Sequence, residues 1–79
     1  MPRYYFDERD NEKFVIDDDG VEIDTFEHVK VEASRAMADF AKDVLPGSVV
    51  RVLAIEVRDN WRPVLRVKLR FEIEHVLAH

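Results

Sequence analysis

Apolar residues recur at Phe26, Val29, Ala33, Ala36, Met37, Phe40, Ala41 and Val44, in steps of mostly three and four. That is the repeat of one helix face. Glu27, Lys30, Glu32, Arg35, Asp39, Lys42 and Asp43 supply the wet side. The pattern predicts a helix over Thr25–Leu45, a rod of roughly 30 Å at the usual rise per residue. Asp24 is placed to cap its start, with Glu27 three residues on, where a capping box sets its acid. Pro46-Gly47 ends it, because Pro lacks the N–H and Gly tolerates turn dihedrals.

Every other apolar stretch reads as strand. Arg3–Arg9 is rich in aromatics, Asp10-Asn11 is a polar turn pair, and Phe14–Ile16 is a second short run; together they predict a hairpin. Tyr4 and Phe6 share one face of the first strand, Tyr5 and Asp7 the other. Asp17-Asp18-Asp19-Gly20 is a loop, and Val21-Glu22-Ile23 leads into the helix. After the helix, Val49–Arg58 is dense in β-branched residues, and Asp59–Pro63 is a turn. From Val64 to Ile73, Leu65, Val67, Leu69, Phe71 and Ile73 alternate with Arg66, Lys68, Arg70, Glu72 and Glu74. Such alternation marks a half-buried strand with one wet face. The order strand, strand, helix, strand, strand predicts an α+β domain of two layers, one helix packed on a four-stranded antiparallel sheet (ββαββ).

One strand departs from simple alternation. Val49, Leu53, Ile55 and Val57 point one way, while Val50, Val52 and Ala54 point the other. A strand apolar on both sides asks for cover on both faces, yet a single helix covers one. A second copy of the chain is the economical cover, since most oligomers of this kind are symmetric homodimers. Val50, Val52 and Ala54 are the expected interface, with edge-to-edge strand pairing as the alternative geometry.

Composition narrows the classes. Seventy-nine residues make a single domain, 1–79. The absence of cysteine removes disulfides and thiolate metal sites. No apolar run approaches the roughly 20 residues of a membrane span, and the opening MPRYYFDERD lacks the apolar core of a signal peptide, so a cytoplasmic protein is expected. The net charge of −5 is uneven: residues 1–45 hold six Lys/Arg against thirteen Asp/Glu, residues 46–79 six against four. The overall balance argues against a dedicated nucleic-acid binder, while the basic second half keeps a local patch open.

Few residues offer chemistry. The three consecutive acids fail the spacing of the twelve-residue calcium loop, whose Gly would put position one at Val15. His75 and His79 stand four apart but lack further ligands at a recognisable spacing, and His28 faces outward on the helical wheel. Ser34, Ser48 and Thr25 have no base at a catalytic spacing. No catalytic residue, metal site or cofactor is therefore expected, and the chain is not read as an enzyme. Two binding features remain. Arg66, Lys68 and Arg70 project from one strand face, which Arg51 and Arg58 of the neighbouring strand join only in a suitable strand alignment and to which the Tyr5 ring could add stacking, as in sheets that bind single-stranded nucleic acid. Trp61 sits at a hairpin tip, either folded back on the sheet or offered as an anchor for a protein partner.

The opening Met1-Pro-Arg-Tyr-Tyr-Phe6, the acidic turn Asp17-Asp-Asp-Gly-Val-Glu-Ile23, the helix with Ala33, Ala36, Ala38 and Ala41, and Arg62-Pro-Val-Leu65 together resemble a family of small bacterial proteins of unknown function. Its members tend to begin MPRYFFH and to carry a D-x-E-G-type turn and a GRPVL-like strand. Asp7 stands where that family usually has His, and Trp61 where it usually has Gly. The resemblance implies the same fold and brings no activity with it. The sequence thus points to a small non-enzymatic, homo-oligomeric interaction or regulatory module, with a single-stranded nucleic-acid-binding module as the alternative.

Overall fold

Residues 2–76 are described in the computed structural model. Five strands and one helix follow in the order β1 (Arg3–Asp10), β2 (Lys13–Val15), β3 (Val21–Glu22), α1 (Phe26–Val44), β4 (Val50–Arg58) and β5 (Pro63–Glu72). All pairings are antiparallel, and the sheet runs β2-β1-β4-β5, with β3 also paired to β1. The helix lies across one face, over β4 and flanked by β5 and β1. The α+β, two-layer reading therefore holds, while the four-strand count does not.

The fifth strand comes from the segment expected only to lead into the helix. β2 pairs with the far end of β1, at Glu8, Arg9 and Asp10, and β3 with its near end, at Arg3 and Tyr4. Between them the Asp17 carboxylate fills the vacant edge: one oxygen accepts the Phe6 N–H at 3.0 Å, the other the N–H groups of Asp19 and Gly20. The chain thereby returns to the edge it has just left. Gly20 permits this with φ +68°; a Cβ there would lie 2.8 Å from the Tyr5 ring and 2.9 Å from the Tyr4 carbonyl.

The helix begins one residue later than its sequence pattern suggests. Thr25, extended at φ −127° and ψ 151°, is the N-cap, and its hydroxyl accepts the His28 N–H at 3.1 Å. Asp24 lies outside the helix, and the third helical position is His28, so Glu27 makes no capping box. The end is clamped: Ser48 donates to the Val44 carbonyl, Arg51 donates Nε to Ser48 Oγ, and Arg51 holds both Asp10 oxygens at 2.8 Å. Asp10 consequently belongs to β1, and the hairpin turn is Asn11-Glu12, with Asn11 at φ 54°.

Val29, Ala33 and Met37, spaced by one turn, are the buried stripe of the helix. They meet Leu53, Ile55 and Val57 of β4, with Tyr4, Phe6, Leu65, Val67 and Leu69 packed around them. Val29, Leu53, Ile55 and Val57 are the largest fully buried side chains, each contributing about 1.5–3 kcal/mol relative to exposure. Val49, expected to point inward, precedes β4 and is exposed.

Candidate interaction surface

Among the described residues no second layer covers the sheet face away from the helix. Strand alternation and register assign its residues. β1 gives Tyr5, Asp7 and Arg9, opposite Arg58, Glu56 and Ala54 of β4. Across β4, Val50, Val52, Ala54 and Glu56 face Glu72, Arg70, Lys68 and Arg66 of β5. Phe14 of β2 stands beside Arg9. The predicted interface trio Val50, Val52 and Ala54 and the predicted basic trio Arg66, Lys68 and Arg70 are thus one surface, read earlier as two. Val50 and Val52 are exposed, whereas Ala54 is buried.

Most cations on this face already hold a carboxylate. Glu56 accepts Arg9 Nε at 3.1 Å and Arg66 Nε at 3.4 Å. Arg70 meets Glu72 at 3.2 Å. Lys68, among the described residues, has no carboxylate within 4.0 Å. Arg9 also lies 4.5 Å above the Phe14 ring centroid.

At one end of the face is a polar node. The buried Asp7 carboxylate accepts Arg58 Nε at 2.9 Å and the Asp17 N–H at 2.9 Å, and Arg58 also donates to the Asp17 carbonyl. The hydrogen bond to Asp7 holds the Arg58 pKa above its ordinary value, against the opposing effect of burial. Burial pushes the Asp17 carboxyl up, but the N–H groups of Phe6, Gly20 and Asp19 and the Arg58 charge together outweigh it, holding Asp17 below its ordinary value. Arg58 covers the Tyr5 ring at 4.4 Å from its centroid, and the Tyr5 hydroxyl donates to Asn60 Oδ1. The Tyr5 ring, expected to be a stacking platform, thus carries a guanidinium on one face. No buried side-chain polar atom of the node lacks a partner, and the node's evident work is to lock the 17–20 loop onto β1 and β4.

Among the described residues Trp61 is the most exposed large hydrophobic residue apart from Val76, at 83 %. The tip presenting it is rigidly tied: Asp59 accepts the Trp61 and Arg62 N–H groups at 2.8 Å each, and its own N–H donates to the Arg62 carbonyl. Those two N–H donors hold the Asp59 carboxyl below its ordinary value.

On the helix side, an apolar groove of about 500 Å³ lies between the end of α1 and the end of β5, lined by Ala38, Ala41, Leu45, Pro46, Phe71 and Ile73 among others. It escaped sequence reading because it joins residues some thirty positions apart. Arg9 and Phe14 also escaped, since only the β1–β4 and β1–β2 registers bring Arg9, with Phe14 next to it, to the Glu56 that Arg66 holds; Glu56 itself is legible in the sequence as an acid balancing the basic face across strands. The expected alternation of β1 already put Arg9 on the same face as Tyr5.

Among the described residues no three His, Asp or Glu side chains converge as a metal site, and no helix is long and apolar enough to cross a membrane. His75 is exposed past β5, and His79 lies outside the described residues. No curated protein and no solved structure matches the chain. A family model described as a domain of unknown function, DUF6894, matches residues 3–70. Most of the chain, from the first strand through Arg70, is covered, and the protein belongs to that family of unknown function.

Proposed function

We propose that the chain is a small non-enzymatic interaction module that works as a homo-oligomer and offers Trp61 to a protein partner. A cytoplasmic location, expected from the sequence, belongs to the same reading. One observation carries the oligomer. Val49, Val50, Val52 and Ile73 gather at one end of the β4–β5 pair, exposed by 62 %, 50 %, 37 % and 50 % respectively. Val50 and Val52 lie on β4, while Val49 just before it and Ile73 just after β5 are joined by a backbone hydrogen bond; the four fall on both faces, beside the apolar groove. Apolar area of this kind on ordered structure marks an interaction site, and a second copy is the economical cover. Light scattering over a dilution series at low and high salt tests this. The expected mass is twice 9.3 kDa at every salt concentration. A monomer at millimolar concentration sinks the oligomer.

The second reading is a single-stranded nucleic-acid-binding module, favoured by Lys68, which has no carboxylate within 4.0 Å among the described residues, beside Arg70 on the open sheet face that also carries Phe14 at its far side. Against it stand the ion pairs that already occupy Arg9, Arg58, Arg66 and Arg70. Anisotropy of a labelled oligonucleotide separates the readings: phosphate-driven binding weakens steeply with added salt, while the favoured reading predicts no measurable binding at 150 mM salt, about the physiological value.

A further inference from the structure

The two edges of the sheet are finished differently. β1's outer edge is taken by β2, by β3 and, at Phe6, by the Asp17 carboxylate. Among the described residues β5 pairs with β4 alone. Short edge strands, prolines and bulges are the usual protection of an edge. β5 has ten residues, its Pro63 is its first, and its one irregularity lies at that same end, opposite Val57/Arg58. From Leu65 to Glu72 the edge is regular and bare.

The backbone direction there follows from one hydrogen bond. Ile73 donates its N–H to the Val49 carbonyl, toward β4. In an extended strand alternate residues turn their polar groups to opposite sides. Glu72, Arg70, Lys68 and Arg66 therefore turn their N–H and C=O groups outward. Their side chains lie on the open face, in the order Arg66, Lys68, Arg70, Glu72; Glu74, two residues past the end of β5, keeps the alternation in the sequence and joins the row if the strand extends on pairing.

That order reads cation, cation, cation, acid, acid at every second residue, and it complements itself when reversed. In an antiparallel pairing centred on Phe71, Arg70 of each copy stands opposite Glu72 of the other, and Lys68 opposite Glu74. Arg66 faces Val76, so no like charges meet. Centred on Arg70, the pairing sets Arg70 against itself; centred on Val67 or Lys68 it sets cation against cation. The helix side selects the same centre. Phe71 meets Phe71 of the second copy, Leu69 meets Ile73, and both contacts close over the apolar groove that Phe71 and Ile73 line.

We infer that two copies join by antiparallel pairing of their β5 edges about a two-fold axis at Phe71, forming one continuous sheet with a helix on the same side of each half. The inference rests on the homo-oligomer reading and gives it an edge-to-edge geometry, which covers Ile73 and leaves Val50 and Val52 on the open face. The open faces merge across that seam and stay uncovered, and the exposed Ile73 and the half-exposed Phe71 become core. Lys68, without a carboxylate within 4.0 Å among the described residues of its own chain, gains Glu74 of the second copy.

Two charge sets test the seam. One chain carries Glu72→Lys and Glu74→Lys; the other carries Lys68→Glu and Arg70→Glu. All four positions are exposed, so each set should fold, as circular dichroism will check. Each alone opposes like charges at every seam pair and is expected to weaken self-association by about a hundredfold. Mixed one to one, the two should form a heterodimer of twice the chain mass. Register is read separately with Phe71→Cys. The chain has no cysteine of its own, so any disulfide joins two copies. Opposed residues in a pair not hydrogen-bonded to each other have Cα atoms about 4.5 Å apart, within disulfide range. Phe71→Cys is expected to oxidise to a covalent dimer, whereas Leu69→Cys, roughly 13 Å from its own counterpart, is not. A wild-type dimer that both charge sets leave intact overturns the seam and leaves the oligomer reading standing. A wild-type monomer at millimolar concentration overturns both. If Phe71→Cys fails to fold, the mixed charge sets still decide.

Discussion

Asp17 does more than its place in a run of three acids suggests. Its carboxylate takes the place of a strand partner for Phe6 and closes the turn at Gly20. Because the folded state holds its pKa below the ordinary 3.8, the unfolded chain takes up the proton first as pH falls. The stabilisation is complete above about pH 5 and drains away as pH drops through 3.8 toward the lower folded value. Urea midpoints between pH 6 and pH 2.5 are expected to fall across that window, and Asp17→Asn should be less stable at neutral pH with a shallower fall. Asp59 contributes in the same direction, so the residual slope of Asp17→Asn is expected to diminish further with Asp59→Asn. Gly20 is the other residue without a substitute. Its positive φ and the 2.8 Å approach of a Cβ to the Tyr5 ring predict that Gly20→Ala costs about 1–3 kcal/mol in a denaturation midpoint.

At the scale of elements, the helix is defined by its ends as much as by its stripe. Thr25 satisfies the His28 N–H, and Asp24 contributes no cap. Thr25→Ala is therefore expected to lose about 1 kcal/mol of unfolding free energy, and Asp24→Ala to stay within about 0.5 kcal/mol of wild type. The reverse ranking would mean the cap has shifted. β4 is the element most fully used: one face carries the core residues Leu53, Ile55 and Val57, and the other carries Val50, Val52 and Glu56. β5 is used on one side only, which is why its free edge, with its charge order, can join a second copy.

For the whole molecule, one helix on a sheet leaves one face and one edge without cover among the described residues. A chain of this length buries only about 60 % of its unfolded surface, so association adds stability that a single core supplies thinly. If the homo-oligomer forms, folding and association are linked by mass action. The melting temperature is then expected to rise by about 4 °C for each tenfold increase in protein concentration, read by calorimetry; a constant value would mean the chain unfolds as a monomer. Trp61 stands far along the hairpin from the apolar end at Val49 and Ile73, so a partner held by Trp61 need not compete with a second copy.

The sequence by itself determined the helix, both long strands and the first hairpin, because each rests on a local period: 3.6 residues for Val29, Ala33 and Met37, two for Leu65 through Ile73. It also marked Val50, Val52 and Ala54 and the row Arg66, Lys68 and Arg70 as features needing an explanation. Only the tertiary structure decided that these are the same surface, because pairing register is a relation between strands that no single strand encodes. The same holds for β3, two residues long and made a strand by an aspartate closing the edge before it. It holds for Asp7, where a turn, a strand and an arginine from opposite halves of the chain converge on one carboxylate. Periods along a chain fix what each element is; which elements are neighbours, and which edge remains bare, is settled by long-range packing.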